Sequence, residues 1–221
     1  MYKTVSSKFK IFIIVIILIV SLIAIKKLVV DPQPVKDIKM NTVYIGGSGI
    51  EYPDNDQSRY YIEFKKDGTY VLMHDDSRRH QENYGEDGDG SRPEIEFRSG
   101  SYEIKNGNYV LTVIDAAGVE FKNTKAVKSK KINSFYYKKH INGDKIDIGV
   151  FLTKRGKYLL GYVDDYGNSY DEQFPYYWLY NKSDIKKLPN SVEEFRKQFK
   201  MDKKAEQERL AEEERRTGQS Q

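Results

Sequence analysis

Two hydrophobic patterns divide the chain. Residues 11–25 are apolar at every position but Ser21, whereas from Thr42 onward apolar and polar side chains alternate with period two. Such alternation, broken by turn dipeptides, marks antiparallel strands. Residues 60–64 and 69–73 flank Lys65-Lys66-Asp67-Gly68, a hairpin with an Asp-Gly turn. Residues 101–105 and 109–113 flank Asn106-Gly107, the clearest hairpin in the chain. A third hairpin is expected from residues 135–141 and 145–152 around Asn142-Gly143-Asp144. A fourth pairs residues 158–163 with 176–180 across a turn-rich loop holding Tyr166-Gly167-Asn168. Eight or more strands at this spacing predict an all-β domain over residues 42–188, an antiparallel barrel or a strongly curved sheet. No helix-period pattern interrupts them.

After Leu188-Pro189 the character changes. Ser191-Val192-Glu193-Glu194 is a capping box, and Val192, Phe195 and Phe199 follow at helical spacing, so a helix begins there and docks on the sheet. Beyond Met201 it turns mostly charged, and along its whole length pairs such as Glu193/Lys197 and Glu212/Arg216 stand in the favourable i, i+4 order. Residues 189–221 are therefore read as a charged helix and tail, without the apolar heptads of a coiled coil.

The apolar run of residues 11–25 would rise about 22 Å as a helix, short of a hydrocarbon core of ~30 Å. Adding residues 26–30 gives a sufficient length if Lys26 and Lys27 snorkel to the interface. A cleaved secretory signal is the rival, but Leu22 stands two positions before Ala24 and a lysine pair follows, a poor peptidase site. An uncleaved transmembrane helix is expected. Lys3, Lys8 and Lys10 keep the amino terminus cytoplasmic. Residues 31–41, with Pro32 and Pro34, read as a stiff linker, and the rest of the chain is expected outside a single-pass cell-membrane anchor.

Charge supports this division. The net charge is +4, yet five of the 37 basic residues and none of the 33 acids lie in the first thirty positions, leaving the other 191 residues at −1. That balance argues against a nucleic-acid binder, whose charge would sit on the folded domain. Cysteine is absent, which excludes disulfides, thiolate metal sites, cysteine nucleophiles and a lipidated cysteine.

The strand-and-turn sequence Phe64-Lys65-Lys66-Asp67-Gly68-Thr69-Tyr70, the stretch Gly100-Ser101-Tyr102-Glu103-Ile104 with Asn106-Gly107 and Leu111-Thr112, and Tyr177-Trp178-Leu179-Tyr180 resemble small lipocalin-like domains of Gram-positive bacterial surface proteins. The resemblance covers roughly residues 60–182. It implies a barrel-like fold with a ligand or partner surface and carries over no catalytic residue. The lipidated cysteine usual in such surface lipoproteins is missing, with the anchor helix in its place.

Catalytic and metal chemistry find no constellation. His74 and His80 lie six apart among Asp75, Asp76 and Glu82 without tight ligand spacing. The acidic loop of residues 86–91 lacks the glycine and glutamate positions of an EF-hand, where Arg92 and Arg98 stand instead. Asp75-Asp76 and Asp164-Asp165 are adjacent, so in a strand each pair points to opposite faces. No nucleophile elbow, phosphate loop or dinucleotide fingerprint occurs. No enzyme, cofactor or metal is expected.

Two surface features remain. Residues 121–139 hold Lys122, Lys125, Lys128, Lys130, Lys131, Lys138 and Lys139 without one acid, while residues 75–96 hold eight acids and three arginines. The lysines suit an anionic lipid or wall polymer, or equally a charged edge strand protected from aggregation. Tyr158, Tyr162, Tyr176, Trp178 and Tyr180 form the second feature, residue types that serve both sheet packing and contact surfaces. Alternation places Tyr176, Trp178 and Tyr180 on one face and Tyr177 and Leu179 on the other. Tyr158, Tyr162, Tyr176, Trp178, Tyr180, Lys128, Lys130 and Lys131 are the candidate binding residues. The expected function is a membrane-anchored, extracytoplasmic, non-enzymatic binding module with a secreted protein as partner, an immunity or exclusion protein being one instance. The alternative is a small-ligand or lipid carrier using the barrel interior.

Overall fold

A computed structural model describes residues 7–25, 31–47, 49, 51–85, 88–162 and 177–218. The chain forms two compact units, residues 1–33 and 34–221. The first contains helix α1 (Ser7–Ile25), in which Phe12 through Val20 are all exposed. Among the described residues no helix is long and apolar enough to cross a membrane.

The second unit is a closed antiparallel barrel. Its strands are β1 (Val43–Gly46), β2 (Arg59–Phe64), β3 (Thr69–Asp75), β4 (Glu94–Lys105), β5 (Asn108–Glu120), β7 (Ser134–Leu152), β8 (Tyr158–Tyr162) and β9 (Tyr177–Tyr180). β9 returns to β1 through Ile45 opposite Tyr180 and Gly46 opposite Leu179, which closes the ring. The expected Asp-Gly and Asn-Gly hairpins join β2 to β3 and β4 to β5. At the first, the Asp67 carboxylate accepts from the Thr69 amide at 3.1 Å and its hydroxyl at 2.6 Å. At the second, Asn106 and Gly107 have φ of 52° and 81°, the left-handed pair that two-residue hairpins favour.

The third expected hairpin does not form. Residues 134–152 are one strand, both halves of which pair with β5 in the same direction. Asp115 faces Lys139 and Val113 faces Asp144, so residues 140–143 loop out where β5 itself carries an extra residue, Ile114. A neighbouring strand long enough to take both halves removes the need for a reversal at Asn142-Gly143. Gly100 lies across from this bulge, where a Cβ would stand 1.9 Å from the Thr112 carbonyl oxygen. The lysine-rich stretch also breaks the run of strands: α2 (Thr124–Lys128), capped by Asn123, and the short strand β6 (Lys131–Ile132) precede β7.

Even-numbered residues of β1 to β3 face the lumen. Tyr44, Ile62, Phe64, Tyr70, Leu72, Tyr109, Leu111, Val150, Leu160 and Leu179 form one buried cluster, with Tyr102, Tyr158 and Tyr177 packed against it. Phe64 meets Tyr109 at 4.5 Å and Tyr102 at 5.0 Å between ring centroids, which fills this end of the barrel. Val35 and Ile38 belong to the same cluster, so the chain joins the barrel from Pro34 on, inside the stretch expected to be a linker.

The odd-numbered residues of β1 to β3 are apolar as well, and they form a second core outside the barrel. Val43, Ile45, Tyr61, Val71, Met73, Phe97, Ala117 and Val119 are covered by Leu188, Phe195 and Phe199 from the segment after β9. Phe195 stacks on Phe97 at 5.4 Å, and Phe199 meets Phe121 edge-on at 5.8 Å. The expected C-terminal helix is split within this covering segment. The Ser191 hydroxyl caps α3 (Val192–Arg196) by accepting from the Glu194 amide. The chain then forms β10 (Lys200–Met201), parallel to β6, and resumes as α4 (Lys203–Gly218). Backbone bonds from Lys200 to the Lys130 carbonyl and from Asp202 to the Ile132 carbonyl hold the break open, at 2.9 and 2.8 Å.

Truncating Phe195 to alanine should therefore lower the unfolding free energy by about 3–5 kcal/mol. Deleting residues 203–221, whose described part buries only Ala205, should cost less than about 1 kcal/mol. Urea melts of the three proteins check both expectations.

Candidate functional site

Where the outer core ends, the barrel wall and the covering segment leave a groove of about 580 Å³. Met73 and Ile95 line it from β3 and β4, Phe121 and Val127 from the chain around α2, and Ile185 and Phe199 from the covering segment. Its polar wall is the turn after β3, with Arg78, Arg79 and His80, and Lys128 and Lys130 stand at the far side.

Carboxylates shape that turn. One Asp75 oxygen accepts from the Ser77 amide at 3.1 Å and hydroxyl at 2.6 Å, and the other from Arg78 Nε at 2.8 Å. Arg78 Nη2 reaches Asp184 of the covering segment at 2.9 Å and donates to the Tyr61 hydroxyl at 3.0 Å. Tyr61 in turn donates to Asp184 at 2.9 Å. Arg59, 2 % exposed, stands 3.6 Å from the same carboxylate. Burial pushes the Tyr61 hydroxyl well above its ordinary pKa, keeping it a neutral donor. Arg79 is held by Asp76 and Asp89, both at 2.8 Å, and lies over the Tyr84 ring at 4.7 Å. His80 meets Asp56 at 2.8 Å.

The other wall is fixed from α2. Gln81 Oε1 accepts from the Thr124 amide at 2.9 Å and hydroxyl at 3.1 Å, tying the turn to the helix start. Two residues past the end of the helix, Lys130 has a left-handed φ of 54°, and its carbonyl takes the Lys200 amide. Both arginines of the groove are matched by carboxylates. Among the described residues the ammonium groups of Lys128 and Lys130, both on exposed residues, have no partner.

The candidate residues from the sequence separate into several places. Lys128 and Lys130 enter the groove, and Lys131 is exposed on β6 beside it. Tyr158 faces the lumen, 6.0 Å from Tyr109. Trp178 faces outward with Phe151 and Leu159, and the Lys157 ammonium lies 4.6 Å over its ring. Tyr180 is outward and buried, edge-on to Tyr52 at 5.5 Å. Trp178 and Tyr180 thus share a face opposite Tyr177 and Leu179, and the structure makes the second face the lumen. Tyr162 lies on β8 opposite Ile148, and Tyr176 falls outside the described residues. Sequence reasoning missed Arg78, Arg79, Asp184 and the apolar floor; only the Arg78-Arg79 pair inside an acidic stretch signalled a charged structure there.

At the lumen end away from Phe64 the inward side chains are polar. Tyr60 stacks on His74 at 4.3 Å, and Ser58 bonds His74 Nε2 at 2.8 Å. Glu96 accepts from Arg98 at 3.1 Å and from the Tyr136 hydroxyl at 3.2 Å. The Tyr136 ring lies against Gly118, where a Cβ would come within 2.3 Å of it. Burial lowers the pKa of His74, so the ring is neutral near pH 7. Burial, reinforced by Glu96, Glu120 and Asp76 against Arg98, pushes the Glu94 carboxyl up to about 7. The chain matches no protein-family model and no curated protein sequence.

The raised Glu94 pKa sets a pH dependence. The folded state holds this proton more tightly than the unfolded chain, so the carboxyl's contribution falls as pH rises between about 4.5 and 7. Glu94→Gln should melt higher than the parent at pH 8 and at nearly the same temperature at pH 4.5, as read by thermal melts at both values.

Proposed function

We propose that this protein is a non-enzymatic binding module held on the outer face of a cell membrane, with a secreted protein as partner. An immunity or exclusion role at that surface is one instance of this reading. The observation that carries it is Trp178 on β9, whose side chain faces outward and stays half-buried where it bridges the buried pair Phe151 and Leu159 and the outer core. The Lys157 ammonium covers one face of the half-buried Trp178 ring, an arrangement suited to an interface anchor. The anchor reading draws on the sequence of residues 11–30, an apolar run flanked by Lys3, Lys8 and Lys10 before it and Lys26 and Lys27 within its end.

A second reading, a small-ligand carrier, draws on barrel closure and on inward polar side chains that solvent still reaches at one end, His74 at 23 % and Arg98 at 31 % exposure. The aromatic filling of the other end leaves a ligand only that polar mouth.

Trp178→Ala should abolish capture of the native partner from wall-stripped membranes while the variant, which loses packing against both clusters, still unfolds in one cooperative transition. Undiminished capture by this variant would reject the aromatic wall as the contact surface. Protease added to intact wall-stripped cells should remove a tag after Gln221 and spare one before Met1; the reverse pattern would reject the orientation.

A further inference from the structure

We infer that the groove between the β3 turn, α2 and the C-terminal segment is a binding site for an amphipathic anion, an acyl or aryl body carrying one or two carboxylate, sulfonate or phosphate groups. Its 580 Å³ lies within the range of roughly 300–1,000 Å³ typical of small-ligand sites. Half-buried Ile95, Val127 and Ile185 offer apolar contact at the floor, backed by buried Met73, Phe121 and Phe199. Charge selectivity comes from two groups only. Asp75 and Asp184 neutralise Arg78, and Asp76 and Asp89 neutralise Arg79, so these arginines build the wall. Lys128 and Lys130 remain uncompensated among the described residues and stand at the edge of an apolar floor, where an anionic head on an apolar body would place its charge.

Lys130 adds an independent indication. Its left-handed φ of 54° is a conformation glycine adopts without strain, and its amide and carbonyl are fixed by Val127 and Lys200. The chain places a long cationic side chain at a position whose backbone favours glycine. No general field explains the preference for an anion, because the chain beyond residue 30 sums to −1. Phe151, Leu159 and Trp178 do not line the groove, and the variants that test the two readings differ, so this inference and the partner-binding reading stand or fall separately.

The four methionines supply the test, since Met73 lines the groove and Met40 packs against the lumen cluster. The full chain, labelled with 13C-methyl methionine in phosphatidylcholine nanodiscs, is titrated with decanoate, decyl phosphate and decyltrimethylammonium. Both anions should shift Met73 saturably and leave Met40 in place, and the cation should not. Lys128→Gln/Lys130→Gln should weaken the anions at least tenfold. Lys130→Gly should weaken them too without lowering the melting temperature, which separates lost charge from lost fold. Replacing the lipid by phosphatidylglycerol distinguishes the source: a Met73 shift without added anion identifies a lipid headgroup, and a shift only with added anion identifies a free amphiphile. The inference is overturned if Met73 stays still, if Met40 responds instead, if the cation binds as well as the anions, or if both lysine variants bind like the parent.

Discussion

The sheet of this barrel is apolar on both faces over strands β1 to β3, and much of the remaining structure follows from that. Tyr44, Ile62, Tyr70 and Leu72 are buried inward while Val43, Ile45, Tyr61, Val71 and Met73 are buried outward. A barrel facing water would expose the second set, an unfavourable contact that grows with the apolar area exposed. The segment after β9 removes it by laying Leu188, Phe195 and Phe199 over the wall. Asp184 fixes where that segment begins, because it takes Arg59, Arg78 and Tyr61 together at the barrel surface. Burying such charges has a desolvation penalty, and the network meets it with complementary donors on three sides. The parallel pairing of β10 with β6 fixes the other end.

The groove is a by-product of this second layer. Where β3 turns away at Asp75 and α2 rises beyond Phe121, the two layers part, and Ile95, Val127 and Ile185 stay half-buried beside two lysines. Strength of the fold and availability of a site therefore share the same residues, Met73, Phe121 and Phe199 among them. Phe151 and Leu159 form a separate small cluster on β7 and β8, and Trp178 of β9 joins it to the outer core.

How much of this was legible in the sequence varied with the range of the interaction. Asp67-Gly68 and Asn106-Gly107 are local signals and gave their hairpins. Period two gave the all-β class, and alternation gave the division of Trp178 and Tyr180 from Tyr177 and Leu179. Asn142-Gly143 misled because a strong local turn signal lost to a long partner strand, which pairs with both sides of it. The Ser191 cap is a local signal and starts its helix, yet the helix ends at Arg196 because β6 recruits Lys200 and Met201. Of the site, Lys128 and Lys130 were found by charge alone. Their apolar floor could not be, since its members come from residues as distant as Met73 and Phe199 and carry no motif. Asp184 and Arg78 likewise meet across more than a hundred residues.

The central claim is that the C-terminal covering segment is part of the barrel's cooperative unit. Native-state amide hydrogen exchange on the full chain tests it most directly, through the amides of Phe195, Lys200 and Asp202, each bonded within or from that segment. The account predicts that they open only with global unfolding, with the same exchange free energy as Leu72 and Phe97 in the barrel. Exchange of all three through a low-energy local opening, while Leu72 and Phe97 stay protected, would contradict it.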